Sequence, residues 1–355
     1  MTFSLCMIVR DEEDVLARCL SSVGNLFSEI VIVDTGSGDR TREIALTFTP
    51  KVFDFEWTDD FSAARNFAFS KATGDYLMWL DADDVIEGEN YRLFEELFSE
   101  IERLSPDVVM LPYNVGFDGG RVTLSYERER ILRAGAGFWF EGAIHEAVPP
   151  RGKVIRGRAA VSHRKTRVKS PTRNLDIFEK MLARGTVFSP RDCYYYAREL
   201  RGAGRYEEAA EWYGKCAENE SAWLENRVSA QFELSQLLWE LGDLRRSDLE
   251  LAKCLTLAEP RADLCCEIGR RHLEKLQLGA AKFWYELAPK QFQKPLGGFL
   301  HADFGGYIPY LQLCVVCDRL GETEQAVRYN ELAGKIRPDS GAVKQNREYF
   351  RGKGL

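Results

Sequence analysis

The hydrophobic pattern changes period once along the chain, near residue 168, and this change constrains the fold more than any single motif. Up to about Lys165, short apolar runs alternate with amphipathic stretches. "FSLCMIV" precedes "DEEDVLARCLSSV", "EIVIVDT" precedes "RTREIALTF", and "KVFDFEW" precedes "FSAARNFAFSKA". "YLMWLDA" then precedes "NYRLFEELFSEIERL", and a further run, "DVVMLPYNV", follows. Runs rich in β-branched and aromatic residues, separated by helical periodicity, specify βαβ units on a mostly parallel, Rossmann-like sheet.

From about Ser170 the strand signal disappears. "RELRGAGRYEEAAEWYGKCAE", "WELGDLRRSDLELAKCL", "LEKLQLGAAKFWYELA" and "DRLGETEQAVRYNELA" repeat one helix–turn–helix plan. The turn residues Gly204, Gly242, Leu276 and Gly321 recur about every 34 to 45 residues, near the tetratricopeptide period. Small residues (Ala209, Ala281, Ala326) fall where paired helices must approach closely, and Ser247 departs from them. The insert "KPLGGFLHADFGGYIPY" is too rich in Gly and Pro to be a repeat helix. Its aromatics suit either loop packing or an acceptor surface. The expectation is therefore an α/β domain over residues 1–168 and an all-α helical-repeat domain over 169–355.

Composition excludes several classes. Across 355 residues, 45% are hydrophobic and 29% charged, as in ordinary globular proteins. A net charge of −7 opposes binding to nucleic acid, which requires a basic surface. No stretch has the apolar length of an integral membrane segment, and the opening "MTFSLCMIVRDEE" reads as a first strand, not a signal peptide. Nine scattered cysteines suit reduced thiols in a cytoplasm. Cys314 and Cys317 have the one-turn spacing of a buried helix face, with no second pair to complete a zinc site.

The chemistry concentrates in "MWLDADD". Asp81, Asp83 and Asp84 follow an apolar strand, and Asp34 follows another in "VIVDTGSGDRT". Ligands of open parallel sheets bind at the carboxyl ends of strands. One aspartate there can cap a helix; grouping the rest costs repulsion that a cation would offset. Oxygen donors without thiolate favour Mg²⁺ or Mn²⁺, which usually complete their shells with substrate phosphates. There is no GxxxxGK[ST] and no GxGxxG, which leaves a nucleotide-sugar as the common diphosphate substrate.

"CMIVRDEE", "VIVDTGSGDRT", "WTDDFSAARNFA" and "LMWLDADD", in that order, resemble the family-two glycosyltransferases of the GT-A fold. The resemblance continues through "FWFEGAIHEAV" and "AAVSHRK". The helical array resembles the tetratricopeptide-bearing members that glycosylate Cys or Ser of peptides. The resemblance implies that Met7 to Glu13, including Val9, Arg10 and Glu12, line the nucleotide pocket, with Asp34 accepting from uracil or ribose. It places Arg65 and Asn66 near the diphosphate, the structural alternative being that Arg65 only pairs with Asp59 or Asp60. Asp81, Ala82 and Asp83 match the Asp-x-Asp element, with Asp83 a direct metal ligand and Asp81 reaching the ribose or a metal-bound water. Asp84 would cap the next turn. Glu146 would be the catalytic base, with His145 its competitor and Glu141 a weaker one, and His163 would complete the metal shell. "HRK" departs from relatives that carry a Gly soon after that histidine.

The expected activity is transfer of a hexose from a UDP-sugar, with inversion and with Mn²⁺ or Mg²⁺ as cofactor. The expected acceptor is a peptide or protein held by the repeats of a cytoplasmic enzyme, with a homodimer through the repeats as the alternative role of that array. Two alternatives stay open: a cell-surface or lipid-linked glycan as acceptor, and a nucleotide-binding scaffold without catalysis.

Overall fold

A computed structural model describes residues 1–166, 172–292 and 300–354. The chain forms two compact units, Met1–Phe188 and Ser189–Leu355. The boundary expected at 168/169 lies outside the described residues, as does the first part of the insert, 294–299.

Strands Phe3–Val9 (β1), Glu29–Asp34 (β2), Val52–Asp54 (β3) and Tyr76–Leu80 (β4) run parallel in the order β3-β2-β1-β4. Helices Leu16–Val23 (α1), Thr41–Phe48 (α2) and Phe61–Lys71 (α3) connect them. Their runs are continuously apolar because both faces of the sheet are covered. Along β1, Leu5, Met7 and Val9 join one core with Leu16 and Leu20 of α1; Cys6, between them, joins the other with Ala68 and Phe69 of α3. Val9 pairs with Asp34 and Met7 with Leu80. The carboxyl ends of β1, β2 and β4 are therefore level, and the segments after Val9, Asp34 and Leu80 leave from one edge.

The rest of the sheet is mixed. After Asp84–Val85 (β5) and helix Asn90–Leu104 (α4), the strands Val108–Asp118 (β6) and Arg121–Arg133 (β7) form an antiparallel hairpin. Gly119 and Gly120 turn it, both with positive φ, as a two-residue hairpin loop requires. β7 lies antiparallel against β4. Val154–Arg156 (β8) and Val161–His163 (β9) run parallel to β6, and β5 pairs antiparallel with β9, opposing Asp84 to His163. Arg173–Ala183 (α5) ends the unit.

In the second unit, helix pairs α6 (Pro190–Gly202) with α7 (Tyr206–Glu218), α8 (Leu224–Glu240) with α9 (Leu244–Leu257), and α10 (Ala262–Glu274) with α11 (Leu278–Gln291) follow one another. A fourth pair, α12 (Tyr307–Arg319) with α13 (Thr323–Ile336), precedes α14 (Gly341–Gly352). Gly204, Gly242, Leu276 and Gly321 are left-handed turn residues in each pair. Ala209, Ser247, Ala281 and Ala326 occupy the same place in the second helix of each pair and are fully buried. Ser247 is accommodated because its hydroxyl donates to Ser235 O at 2.5 Å while Ser235 Oγ donates to Ser247 O at 2.8 Å. All nine cysteines are buried free thiols, Cys314 and Cys317 among them. Among the described residues, no helix is long and apolar enough to cross a membrane.

Candidate active site

The first turn expected for α1 is instead a loop. Asp11 has φ of 52°, and residues 11–13 clasp the loop after β2. Gly38 N donates to Asp11 Oδ1 at 2.8 Å, Glu12 N donates to Thr41 Oγ1 at 2.6 Å, and Arg40 N donates to Glu13 Oε2 at 3.2 Å. Arg10 is exposed, its Nε 3.8 Å from Asp11. Val9 O accepts from Thr35 N and Thr35 Oγ1 at 3.0 and 3.2 Å. Asp34 is 4% exposed, and its Oδ1 accepts from Gly36 N, Ser37 N and Ser37 Oγ at 2.8–3.0 Å. It builds an Asx turn. Val9, Arg10, Glu12 and Asp34 thus share two interlocked loops at the edge of the parallel strands.

Arg65 reaches further than its own helix start. Asp60 caps α3 by accepting from Ala63 N at 3.0 Å, and Asp59 pairs with Lys180 Nζ at 2.8 Å. Arg65 instead donates from Nη2 to Asp81 Oδ1 and from Nε to Glu146 Oε1, both at 2.6 Å. Its guanidinium lies 4.5 Å from the Trp79 ring centroid. Burial alone would raise the Asp81 pKa, but the attraction of Arg65 and Arg130 holds it well below the usual carboxylate range. Ala82, next in the turn, is buried.

The other two aspartates face a different partner. Asp83 Oδ1 and Asp84 Oδ1 each lie 3.3 Å from His163 Nδ1. Asp84 is wholly buried and takes Arg130 Nη1 at 3.1 Å on Oδ2, Tyr113 Oη at 2.8 Å on Oδ1, and Asp81 N at 3.0 Å. The bond from Asp81 N closes the turn that precedes Asp84, where a cap on the next turn was expected. Burial would lower the His163 pKa, but the hydrogen bonds to Asp83 and Asp84 push it up to about 10. A metal at this place would displace that proton, since a ligating histidine is neutral. Asp83, Asp84 and His163 bring their ligand atoms within 4.8 Å of one another, and a hard divalent cation fits carboxylate and imidazole donors. Asp83 and His163 are the available donors, because Asp84 already serves Arg130 and Tyr113. Asp81 points to Arg65 and stands apart from this group.

Glu146 sits in a loop fixed on both flanks. Glu141 and Ala147 form an antiparallel bridge. On one side, Asn66 holds Phe140 by both backbone groups, Nδ2 to O at 3.0 Å and N to Oδ1 at 2.8 Å. Asn66 therefore builds the loop, where the resemblance implied a diphosphate contact. On the other side, Arg128 Nη2 donates to Glu146 O at 3.0 Å, and Glu129 Oε1 accepts from Val148 N at 3.2 Å. Glu146 is 9% exposed. His145 is half-buried, with φ of 53°. A left-handed backbone at a non-glycine residue costs about 1 kcal/mol or more, and such strain is found at functional loops.

Sequence reasoning missed β7, and with it Arg128, Glu129 and Arg130. The Arg130 guanidinium lies 3.9 Å from the Trp79 ring centroid and that of Arg128 4.7 Å. The glycine pair at 119–120 between alternating strands was the available signal. Arg65, Arg128, Arg130 and protonated His163 face Asp81, Asp83, Asp84, Glu129 and Glu146. The acids are thus largely offset by the protein's own cations, where the sequence pointed to a bound ion for that task.

Residues 4–152 match the family described as glycosyl transferase family 2. The chain is 39% identical over 146 residues to a TPR repeat-containing protein of Synechococcus elongatus, covering 41% of this chain and 35% of that one. It is 27% identical over 281 residues to the SPbeta prophage-derived glycosyltransferase SunS of Bacillus subtilis, covering 75% of this chain and 65% of that one. The chain thus spans between a third and two thirds of these relatives. Among solved structures, S. aureus TarS 1-349 in complex with UDP overlaps 70% of this chain and 88% of its own at 16% identity and a TM-score of 0.37. The structure of MamA overlaps 45% and 85% at 20% identity and a TM-score of 0.36. Overlaps this loose add nothing to the description of the site.

Proposed function

We propose that the protein is a metal-dependent, inverting glycosyltransferase, a reading supported by the match of residues 4–152 to glycosyl transferase family 2. It takes a hexose from a UDP-sugar and delivers it to a peptide or protein side chain, Cys or Ser/Thr. One observation carries the reading most. Asp81 of the Asp-x-Asp element and Glu146 of the distant loop meet on one guanidinium, so donor-side and acceptor-side carboxylates share a single site.

In this reading Val9, Arg10, Glu12 and Asp34 receive the nucleoside at the strand ends, and Asp81 faces the donor. Glu146 takes the proton of the attacking acceptor during in-line displacement; His145, next to it, is the competing base. Mn²⁺ or Mg²⁺, held by Asp83 and His163, would supply charge stabilisation for the departing diphosphate. The buried wall of Trp79 and Phe140 behind Arg65 keeps water from that side of the ion pairs.

The helical unit is the proposed acceptor holder. A cleft of about 440 Å³ there is lined by Arg198, Arg201, Tyr206, Tyr213, Glu233 and Glu240. The Tyr213 hydroxyl is buried without a partner, and such a group calls for a ligand or a water. The nine buried thiols support a reducing, cytoplasmic setting.

The test is UDP release from a panel of UDP-hexoses with Mn²⁺, followed by intact-mass analysis of added Cys- and Ser-containing peptides. Turnover that Asp83→Ala abolishes is the expected result. No binding and no turnover with any donor, and no effect of Asp83→Ala, would remove the enzyme reading. Turnover with mass gain only on glycan acceptors would replace the peptide.

A further inference from the structure

Arg65 is built for a different task from holding a diphosphate. Two of its three nitrogens are committed, Nε to Glu146 Oε1 and Nη2 to Asp81 Oδ1, both at 2.6 Å. Its side chain is 7% exposed, and its plane is wedged by the rings of Trp79, 4.5 Å away, and Phe140, 5.5 Å away. A side chain fixed at four points has little freedom to follow a ligand.

What Arg65 fixes matters because the loop around Glu146 is fixed by other residues. Asn66 holds Phe140, Arg128 holds Glu146 O, and Glu129 holds Val148 N. These bonds set the backbone of Glu146 and leave its side-chain torsions unset. Arg65 is the group that sets them, by taking Oε1.

We propose that Arg65 is the positioning residue of the reaction: by occupying Glu146 Oε1 it presents Oε2 to the acceptor, and through Asp81 it ties that orientation to the donor side of the site. The inference rests on the glycosyl-transfer reading above. Arg65 itself exchanges no proton and touches no reacting atom. Without it, Glu146 keeps its place in the loop and loses its aim. A carboxylate misplaced by about 1 Å costs on the order of 10²-fold in rate.

The experiment uses the full chain with Mn²⁺ and the UDP-hexose panel, water serving as acceptor, so that donor hydrolysis reads the same base. Wild type, Arg65→Gln and Arg65→Lys are compared at varied donor concentration. Arg65→Gln is expected to lower kcat by about 10²-fold while donor KM stays within about threefold. Arg65→Lys, which keeps one donor for one of the two acids, is expected to recover part of kcat at the same KM. A raised KM with kcat unchanged would make Arg65 a donor ligand and overturn the proposal, as would a wild-type kcat in Arg65→Gln. If circular dichroism shows Arg65→Gln unfolded, Arg65→Lys decides: reduced kcat at unchanged KM supports the proposal, and full kcat or raised KM overturns it. A wild type that turns over no donor sinks the transfer reading itself, a result visible before either variant is made.

Discussion

Replacing Asp84 by asparagine removes one charge and almost no volume, from a place that has no access to water. The Asp84 carboxylate takes Arg130 Nη1, Asp81 N and Tyr113 Oη at 3.1, 3.0 and 2.8 Å. An asparagine that keeps its oxygen toward Tyr113 turns its NH₂ against Arg130 and Asp81 N, and the flipped amide loses Tyr113 instead. In both orientations Arg130 loses the carboxylate that pairs with it directly and keeps only the more distant charge of Asp81 and the carbonyl of Trp79. Its Nε and Nη2 already lack hydrogen-bond partners. Removing one partner of a buried ion pair costs about 3–5 kcal/mol. In a unit spanning Met1–Phe188, each kcal/mol lowers Tm by about 2–4 °C, so the transition of the first unit should fall by roughly 6–20 °C. Thermal melts followed by near-ultraviolet circular dichroism, to which buried Trp79 contributes, read this directly. The double variant Asp84→Leu/Arg130→Met, which removes both charges, should be less destabilised than Asp84→Asn. The reasoning is refuted if Asp84→Asn melts within about 2 °C of wild type, or if the double variant is the worse of the two.

Asp83→Ala should abolish Mn²⁺ binding in calorimetry and lower stability less than Asp84→Asn does, because Asp83 meets only His163 and Asp84 stays as a second partner of that ring. Leu276 holds the left-handed turn that glycine holds in the other three helix pairs, and it is 71% exposed. Relief of about 1–2 kcal/mol of left-handed strain, less about 0.5–1 kcal/mol of glycine entropy, predicts a slightly higher urea midpoint for Leu276→Gly; a lower one would contradict this. Burial would raise the pKa of Glu29, but hydrogen bonds from Lys51, Ser4 and Thr73 bring it down from 4.5 to about 2. Its contribution to stability is complete above pH 4.5 and is lost as pH falls toward 2, so the stability gap between wild type and Glu29→Gln should close across that window in denaturation curves.

What the sequence made legible was whatever repeats or alternates locally. The parallel strands announce themselves because each is buried on both faces, and the four turns of the helical unit because three carry glycine at a left-handed position. The hairpin of β6 and β7 was missed beyond its first strand, since "YERERILR" carries five charges and reads as a solvated stretch. Two of those charges are buried by partners remote in sequence: Arg130 by Asp84 and Trp79, Glu129 by Val148 N. The loop between β1 and α1 reads as helix because its acids fit a first turn, whereas Asp11 and Glu13 accept from the backbone N–H groups of Gly38 and Arg40. Asn66 likewise stands beside Arg65 in sequence, yet only the fold shows that one holds a backbone and the other two carboxylates.

The direction of β7 explains how the aspartates coexist. Tyr76 pairs with Arg133, Leu77 with Leu132 and Met78 with Ile131. Because the pairing is antiparallel, the residues of β7 that precede Ile131 run along the last residues of β4 and past its carboxyl end. They are Arg130, Glu129 and Arg128, delivered beside the turn where Asp81 and Asp84 emerge. A parallel neighbour of the same length would end at that edge and bring only its tip. β7, at 13 residues against five for β4, overshoots it, and the stretch before Ile131 carries two guanidiniums. Arg65 arrives from α3 against the same Trp79 ring, so cations from two elements meet the acids of a third. This also separates the acids by role. Asp84 and Asp81 are held by Arg130 and Arg65, whereas Asp83 is opposed only by His163, a ring it shares with Asp84.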